Sequence, residues 1–387
     1  MTKNIKILLS LTMGILFFSS LPSCKKISWN DYEITDYDGE LLWEQVTEKA
    51  AWDNRYDHES AVFNDHIWLI GGYNSGNSGD SYYEDIWKSA DGSNWTLVDA
   101  DADFKGRRGH SLVTFDDGSG EALFLIGGFS VDEGTGVRSY NNDVWKSVDG
   151  ANWTEIKENI DVEFEDSLNW VPRMHHKCLI TNHGGIDYIY LIGGQSMREG
   201  IEGRFSMTYF NDVWRSTDGV NWEKLFNTDY GIRSEHAATV NSDGRIFIQG
   251  GIHGTVFVSE NNSNHPIADW QYLYYSDNGV DWVKAYNSDI VEDGYMWRAS
   301  HEMVYYKDKI WTLPGKTNSN THYHFAIPEY YSTWTYDSAG FGIDSKGTAI
   351  DARHGYSTVV FKDHIYVLGG NTNRNGQDND VWKASLK

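Results

Sequence analysis

Apolar residues in this chain come in short runs separated by turn residues, with no long helical period after the N-terminal segment. One run, Ala122 to Ile126, ends in Gly127-Gly128, and the same kind of run ends at Gly71-Gly72, Gly193-Gly194, Gly250-Gly251 and Gly369-Gly370, with Pro314-Gly315 in one further copy. Ahead of each run stands an arginine followed three residues later by a histidine or tyrosine: Arg55/His58, Arg107/His110, Arg173/His176, Arg233/His236, Arg298/His301 and Arg353/Tyr356. Behind it, after a stretch of variable length, lies an aromatic-centred segment around Trp87, Trp145, Trp214, Tyr274, Trp334 or Trp382. Four copies then close on Ser-x-Asp-Gly-x-Asn-Trp or a near variant, such as Ser147 to Trp153. The period is roughly 55 to 65 residues, the signature of a propeller or solenoid.

Each copy resolves into four strands. In the second copy they are the segment after Arg107, the run into the glycine pair, Asp143 to Ser147, and Asn152 to Ile156. The runs are short, aromatic and β-branched, and Asp-Gly between the third and fourth supplies the positive-φ residue of a tight hairpin. The reading is all-β: a six-bladed β-propeller with four-stranded blades. The last copy stops after its third strand, at Val381 to Ala384, while Leu42 to Val46 precedes the first arginine as a fourth strand would. The N-terminal strand is therefore expected to complete blade six, closing the ring and leaving no open edge.

The glycine pair, the Asn-Asp-Val-Trp strand and the Arg-x-x-His start resemble kelch repeats. The Ser-x-Asp-Gly-x-Asn-Trp hairpin resembles a subgroup of secreted and surface bacterial proteins, and more faintly the Asp-box of sialidase propellers, from which it is one residue short. The resemblance covers about residues 41 to 387. It implies a kelch-type, galactose-oxidase-like propeller. It does not select a function, since kelch-like propellers serve as protein-binding platforms, sugar mutarotases and copper oxidases.

The N-terminus bears on location. Lys3 and Lys6 form a basic region, Ile7 to Phe18 is an apolar stretch too short to span a bilayer, and Leu21-Pro22-Ser23-Cys24 resembles a bacterial lipobox. This divides the chain into a signal peptide (1–23), a lipidated tether (24–40) beginning at Cys24, and the propeller (41–387). The expected location is the bacterial cell envelope, anchored by lipid, with Lys25 pointing to the outer membrane. The formal net charge of −24 excludes nucleic acid as a natural partner and leaves membranes only through the anchor. Cys178 is the single cysteine beyond Cys24, so no disulfide is expected within the domain.

Strand direction alternates, so the loops entering strand one and those joining strands two and three share a face. These loops are the long ones, and long loops on a rigid scaffold carry function. The six arginines fall at the entry to the innermost strand on that face. They are candidates for a cationic ring that holds a ligand: Arg55, Arg107, Arg173, Arg233, Arg298 and Arg353, with Asp57, Glu235 and Glu302 close enough in sequence to pair with some. The alternative for the arginines is a repeated blade-to-blade bond. The histidines read as packed, hydrogen-bonded inter-blade residues. Aromatic residues three before five of the arginines suggest either loop packing or a stacking rim, and Trp170 and Trp297 are the individual rim candidates.

Catalysis has thinner support. A copper radical oxidase needs a cysteine cross-linked to tyrosine; Cys178 sits on a first strand, but the next blade opens Arg233-Ser-Glu-His236, without tyrosine. A mutarotase (epimerase) of the sialate type would use an acid or base beside arginines, and Glu235 and Glu302 are the central carboxylates. His175-His176 and His322-x-His324 lack matched metal-ligand partners, so neither metal nor cofactor is expected. The expectation is a monomeric binding propeller whose arginine face takes a glycan or a protein.

Overall fold

The computed structural model describes residues 41–76, 79–132, 134–162, 168–199, 205–227, 231–252, 273–285, 298–313, 315–317, 333–337, 340–344, 353–372 and 376–386. Every regular element among them is a β-strand. Six sheets of four or five strands follow one another along the chain, with two-stranded ribbons in the connections. The first contains Glu59–Phe63, His66–Ile70, Ile86–Ser89 and Trp95–Asp99. The second contains Ser111–Asp116, Glu121–Val131, Arg138–Ser147 and Thr154–Lys157, with Arg107–Arg108 added at its edge. The third, fourth and fifth start with Lys177–His183, Ala237–Val240 and Met303–Tyr306. The sixth takes Ser357–Phe361, His364–Thr372 and Gly376–Leu386 from the C-terminus and Leu41–Thr47 from the N-terminus. Leu41 pairs with Leu386, Trp43 with Ala384 and Gln45 with Trp382, so the N-terminal strand is the outermost of that sheet.

Neighbouring sheets pack face to face. Trp68 and Ile70 of the first meet Leu123 and Leu125 of the second. Phe124 and Ile126 of the second meet Ile189 and Leu191 of the third. The sequence of packed pairs returns to its start, with Val359 and Leu368 of the sixth sheet against Ile67 and Leu69 of the first. The innermost strands touch in the same circular order. This is a β-propeller arrangement, its core divided into wedges between sheets. Each fully buried Leu, Ile or Val there contributes about 1.5–3 kcal/mol of apolar transfer energy.

The repeated hairpin explains why its residues recur. In Ser147 to Trp153, the Ser147 hydroxyl accepts from the Gly150 amide (2.8 Å), and one Asp149 carboxylate oxygen accepts from the amides of Ala151 and Asn152 (2.8 Å each). The other oxygen accepts from the Asn152 side chain at 2.7 Å. Those bonds, led by the Asn152 amide, pull the Asp149 carboxyl down to about 2. Gly150 has φ +79° and lies so near the Trp68 indole that a Cβ would come within 2.2 Å of it. The hairpin thus grips the preceding sheet as well as closing its own.

Candidate functional site

The arginine-led motif builds the centre of the molecule in layers. The arginines form the first. Arg173 gives two parallel bonds to Asp212 (2.6 and 2.9 Å) and one to the Gly193 carbonyl (2.8 Å). Arg55 treats Asp85 and Gly71 in the same way, Arg107 treats Asp143 and Gly127, and Arg353 treats Asp380 and Gly369. Each aspartate also accepts from the tryptophan two residues on, Trp87, Trp145, Trp214 or Trp382. Arg233 is likewise buried and donates to the Gly250 carbonyl. The expected ligand-holding ring is therefore corrected. Arg55, Arg107, Arg173 and Arg353 are buried clamps tying strand one to strands two and three of their own sheets, their guanidinium forks spent on backbone and aspartate, and Arg233 is buried against the Gly250 carbonyl. The Arg298 side chain lies outside the described residues.

Trp170 is also corrected. It is fully buried, edge-on to Trp222 at 5.9 Å, not on a rim. Trp52 and Phe104 pack likewise against Trp95 and Trp153. Trp297, Cys24 and the His322-x-His324 pair lie outside the described residues.

Two residues past each arginine the backbone turns left-handed, at Asp57, Gly109, His175, Glu235, Ser300 and Gly355, with φ between 49° and 62°. Their peptides bond head to tail around the axis. Asp57 donates to Gly355, Gly355 to Ser300, Ser300 to Glu235, Glu235 to His175, His175 to Gly109 and Gly109 to Asp57, over 2.6–3.2 Å. Glycine suits this conformation, while each other residue type bears about 1–2 kcal/mol of strain. Four positions nevertheless carry polar side chains, and such strain concentrates where side chains are placed for a purpose.

Those side chains converge. His175 Nε2 lies 3.2 Å from Asp57 Oδ2, and its Nδ1 lies 3.7 Å from Glu235 Oε1. Ser300 Oγ donates to Glu235 Oε2. The two glycines make room: a Cβ on Gly109 would meet His175 Cδ2 at 2.6 Å, and one on Gly355 would meet Asp57 Oδ1 at 2.6 Å. Glu235 is thus where a central carboxylate was expected, with the Ser300 hydroxyl and the His175 ring beside it. Arg108 approaches from the side, with Nη1 3.8 Å from Asp57 Oδ2 and its guanidinium 4.5 Å from the Tyr73 ring centre. It belongs to an aromatic file running from Tyr56 through Tyr73, Tyr82 and Phe129 to Tyr140, with ring centres 4.8–5.9 Å apart.

Three residues past each arginine lies a buried collar, His58, His110, His176, His236, His301 and Tyr356. A histidine Cε1 of this collar sits against the glycine pair of the preceding sheet, as His110 does at Gly71 and His236 at Gly193. Burial, reinforced by the neighbouring arginine, lowers His58 and His176 to about 3 and takes His110 and His236 well below the ordinary imidazole value. His58, His110, His176 and His236 are neutral and packed between neighbouring sheets, as read from sequence, but, among the described residues, without the side-chain hydrogen bonds that reading included.

One residue further, Lys177 Nζ bonds Glu302 Oε1 at 2.7 Å and lies 3.5 Å from Glu59 Oε1. A cavity of about 40 Å³, room for a water or two, runs between this layer and the Asp57–His175–Glu235 layer. Cys178 is buried, and that burial pushes its thiol up to about 12, the opposite of an activated thiolate. Among the described residues no group of three histidine, cysteine or acidic side chains is placed to hold a metal.

Sequence reasoning missed the aspartates of the Asn-Asp-Val-Trp strand as arginine partners, and missed Arg108, His175 and Lys177. The available signal was variation: beside an invariant arginine and a near-invariant histidine, the second and fourth positions change from copy to copy.

No protein-family model and no curated protein matches the chain. Among solved structures it is similar to one described as the structure of YjhT, at 13% identity, over 88% of this chain and 96% of that one, with a TM-score of 0.56. The likeness is one of fold, and it places the chain among β-propellers. No helix among the described residues is long and apolar enough to cross a membrane.

Proposed function

We propose that this protein is a lipid-anchored envelope protein whose six-bladed, kelch-type propeller binds a saccharide at the axial mouth beside the arginine clamps. The observation that carries the reading is the convergence of Asp57, His175, Glu235 and Ser300 on one axis, on a strained backbone, next to Arg108 and its aromatic file. Carboxylates and imidazole accept and donate to vicinal hydroxyls, and aromatic faces stack on the apolar side of a sugar ring. Binding thus stays on the face expected from sequence, but passes from the arginine ring to the residues inside it. The kelch-type assignment rests on the repeated motifs. The blade count rests on the six successive sheets and on the six peptides that close around the axis. The anchor rests on the Leu21 to Cys24 sequence; Cys24→Ser should release the protein from membranes, and a variant that still partitions with them would sink that part of the reading.

A glycan array followed by calorimetry on the best saccharide tests the site. His175→Asn keeps a residue that tolerates the left-handed backbone. It should weaken binding by about 1.5–3 kcal/mol, the scale of a hydrogen bond to a charged group, with melting little changed. Saccharide binding that ignores both His175→Asn and Arg108→Ala would place the site elsewhere. Capture of a protein partner with no saccharide bound would favour a protein-binding platform.

A second reading, a sugar-active enzyme of the mutarotase type, is favoured by one feature: the His175 ring lies between two carboxylates, an arrangement suited to proton transfer. Accelerated anomer exchange of a bound reducing sugar, lost in His175→Asn, would establish it.

A further inference from the structure

The axis has a second mouth. On the hairpin face the channel widens into a funnel of about 320 Å³, walled by Leu179, Val240, Val304 and Thr239. Its floor is the Glu59–Lys177–Glu302 layer, which lines both the funnel and the smaller axial cavity. The six equivalent positions of that layer are Glu59, Ser111, Lys177, Ala237, Glu302 and Ser357. Two are acids, one is a base and three are uncharged. Lys177 is committed to Glu302 at 2.7 Å and stands 3.5 Å from Glu59, so one ammonium serves two carboxylates. Ser60, only 8% exposed, lines the same funnel with its hydroxyl unpartnered.

We infer that this funnel is a second binding site, for a primary ammonium group carried on an aliphatic stem. The floor already displays the chemistry, since Lys177 is itself such a group. A second ammonium entering from the funnel would complete the charge balance against Glu59, while the aliphatic wall covers the stem. The site lies across the polar layer from the proposed saccharide site and does not depend on it. Proton linkage adds a signature. Burial first, and the Glu302 charge with it, raises Glu59 to about 7 although Lys177 pulls it down, and Asp57 adds a further upward push. An arriving ammonium favours the ionised carboxylate, so binding near neutral pH releases a proton.

The probes are n-pentylamine, 1-pentanol, and a short peptide with one lysine and a blocked N-terminus, titrated into the full propeller by calorimetry. Pentylamine should bind at least about tenfold more tightly than pentanol, and Glu59→Gln should remove that preference. If the peptide binds better than the free amine, the natural ligand is a lysine side chain; if the free amine binds better, it is a small molecule; both results support the site. Should Glu59→Gln fail to fold, the unmodified protein decides: heats of pentylamine binding at pH 7 must differ between buffers of different ionisation enthalpy. Equal affinity for amine and alcohol, an unchanged Glu59→Gln, or buffer-independent heats would each overturn the inference. His175→Asn should leave pentylamine binding intact; loss there would put the amine at the other mouth and refute it.

Discussion

Acidification should unfold this protein earlier than carboxylate titration alone would. The perturbation is protonation of the neutral collar. His58, His110, His176 and His236 all lie below the ordinary imidazole value in the fold, two of them at about 3, so below pH about 6.5 the unfolded chain takes up protons that the folded chain refuses. Each such histidine costs about 1.4 kcal/mol of stability per pH unit between those limits. Glu59 and Glu302 act in the opposite sense, because their raised values let the folded state hold protons that the unfolded state gives up. Four histidines against at most two glutamate protons leave two or more, or at least about 2.7 kcal/mol per pH unit, from pH ~6.5 down to pH ~4.5. Against a typical stability of about 5–15 kcal/mol, that is enough to move the urea midpoint visibly between pH 7 and pH 5. Urea unfolding by tryptophan fluorescence at pH 7, 6 and 5 measures it, and His110→Gln should flatten the slope by about one proton, at most about half of it. A stability constant from pH 7 to pH 5, or a slope unaffected by His110→Gln, would refute the reasoning.

Asp212→Asn should cost about 3–5 kcal/mol in urea unfolding, since it leaves Arg173 buried with one fewer charge to answer it; the exposed Arg245–Asp277 pair, cut by Asp277→Asn, should cost under about 1 kcal/mol. Gly150→Ala should lower the melting temperature, worth roughly 1–3 kcal/mol, because its Cβ would press into Trp68 on a backbone at φ +79°. Deleting residues 41–47 should destabilise the whole domain, since it bares the Gly376–Leu386 edge and removes Trp43 from its cluster; a deletion melting within a degree or two of the parent would be inconsistent with the pairing of Leu41 to Leu386.

Strand periodicity, glycine pairs and Asp-Gly hairpins made the sheets legible because those features are local: a turn needs its residue within a few positions. The outer strand of the last sheet was legible too, since an unfinished final copy and an unassigned first strand fit only each other. The arginines misled for a physical reason. Their partners lie 27 to 39 residues away, Asp212 for Arg173 the farthest, and a buried bidentate clamp and an open anion site call for the same residue. Trp170 and Trp222 meet edge to face across a long separation in sequence, which no spacing rule conveys. His175 was passed over as half of a histidine pair. Its neighbour His176 belongs to the neutral collar while His175 faces the axis, and the difference lies in one left-handed residue.

The pairing of Leu41 with Leu386 also fixes how the propeller can hang. Leu41 begins the outermost strand at the hairpin side, directly beside Leu386 at the end of its partner strand, so the two strands meet at one point on the perimeter. Any attachment made through the preceding segment holds the disc by its rim rather than by its hub. Neither mouth is plugged by the point of suspension. The funnel lies on the same side as that point, and the Asp57–His175–Glu235 mouth turns away from it. Under the lipid-anchor proposal, the funnel would open toward the support and the Asp57–His175–Glu235 mouth away from it, each reachable without passing the other.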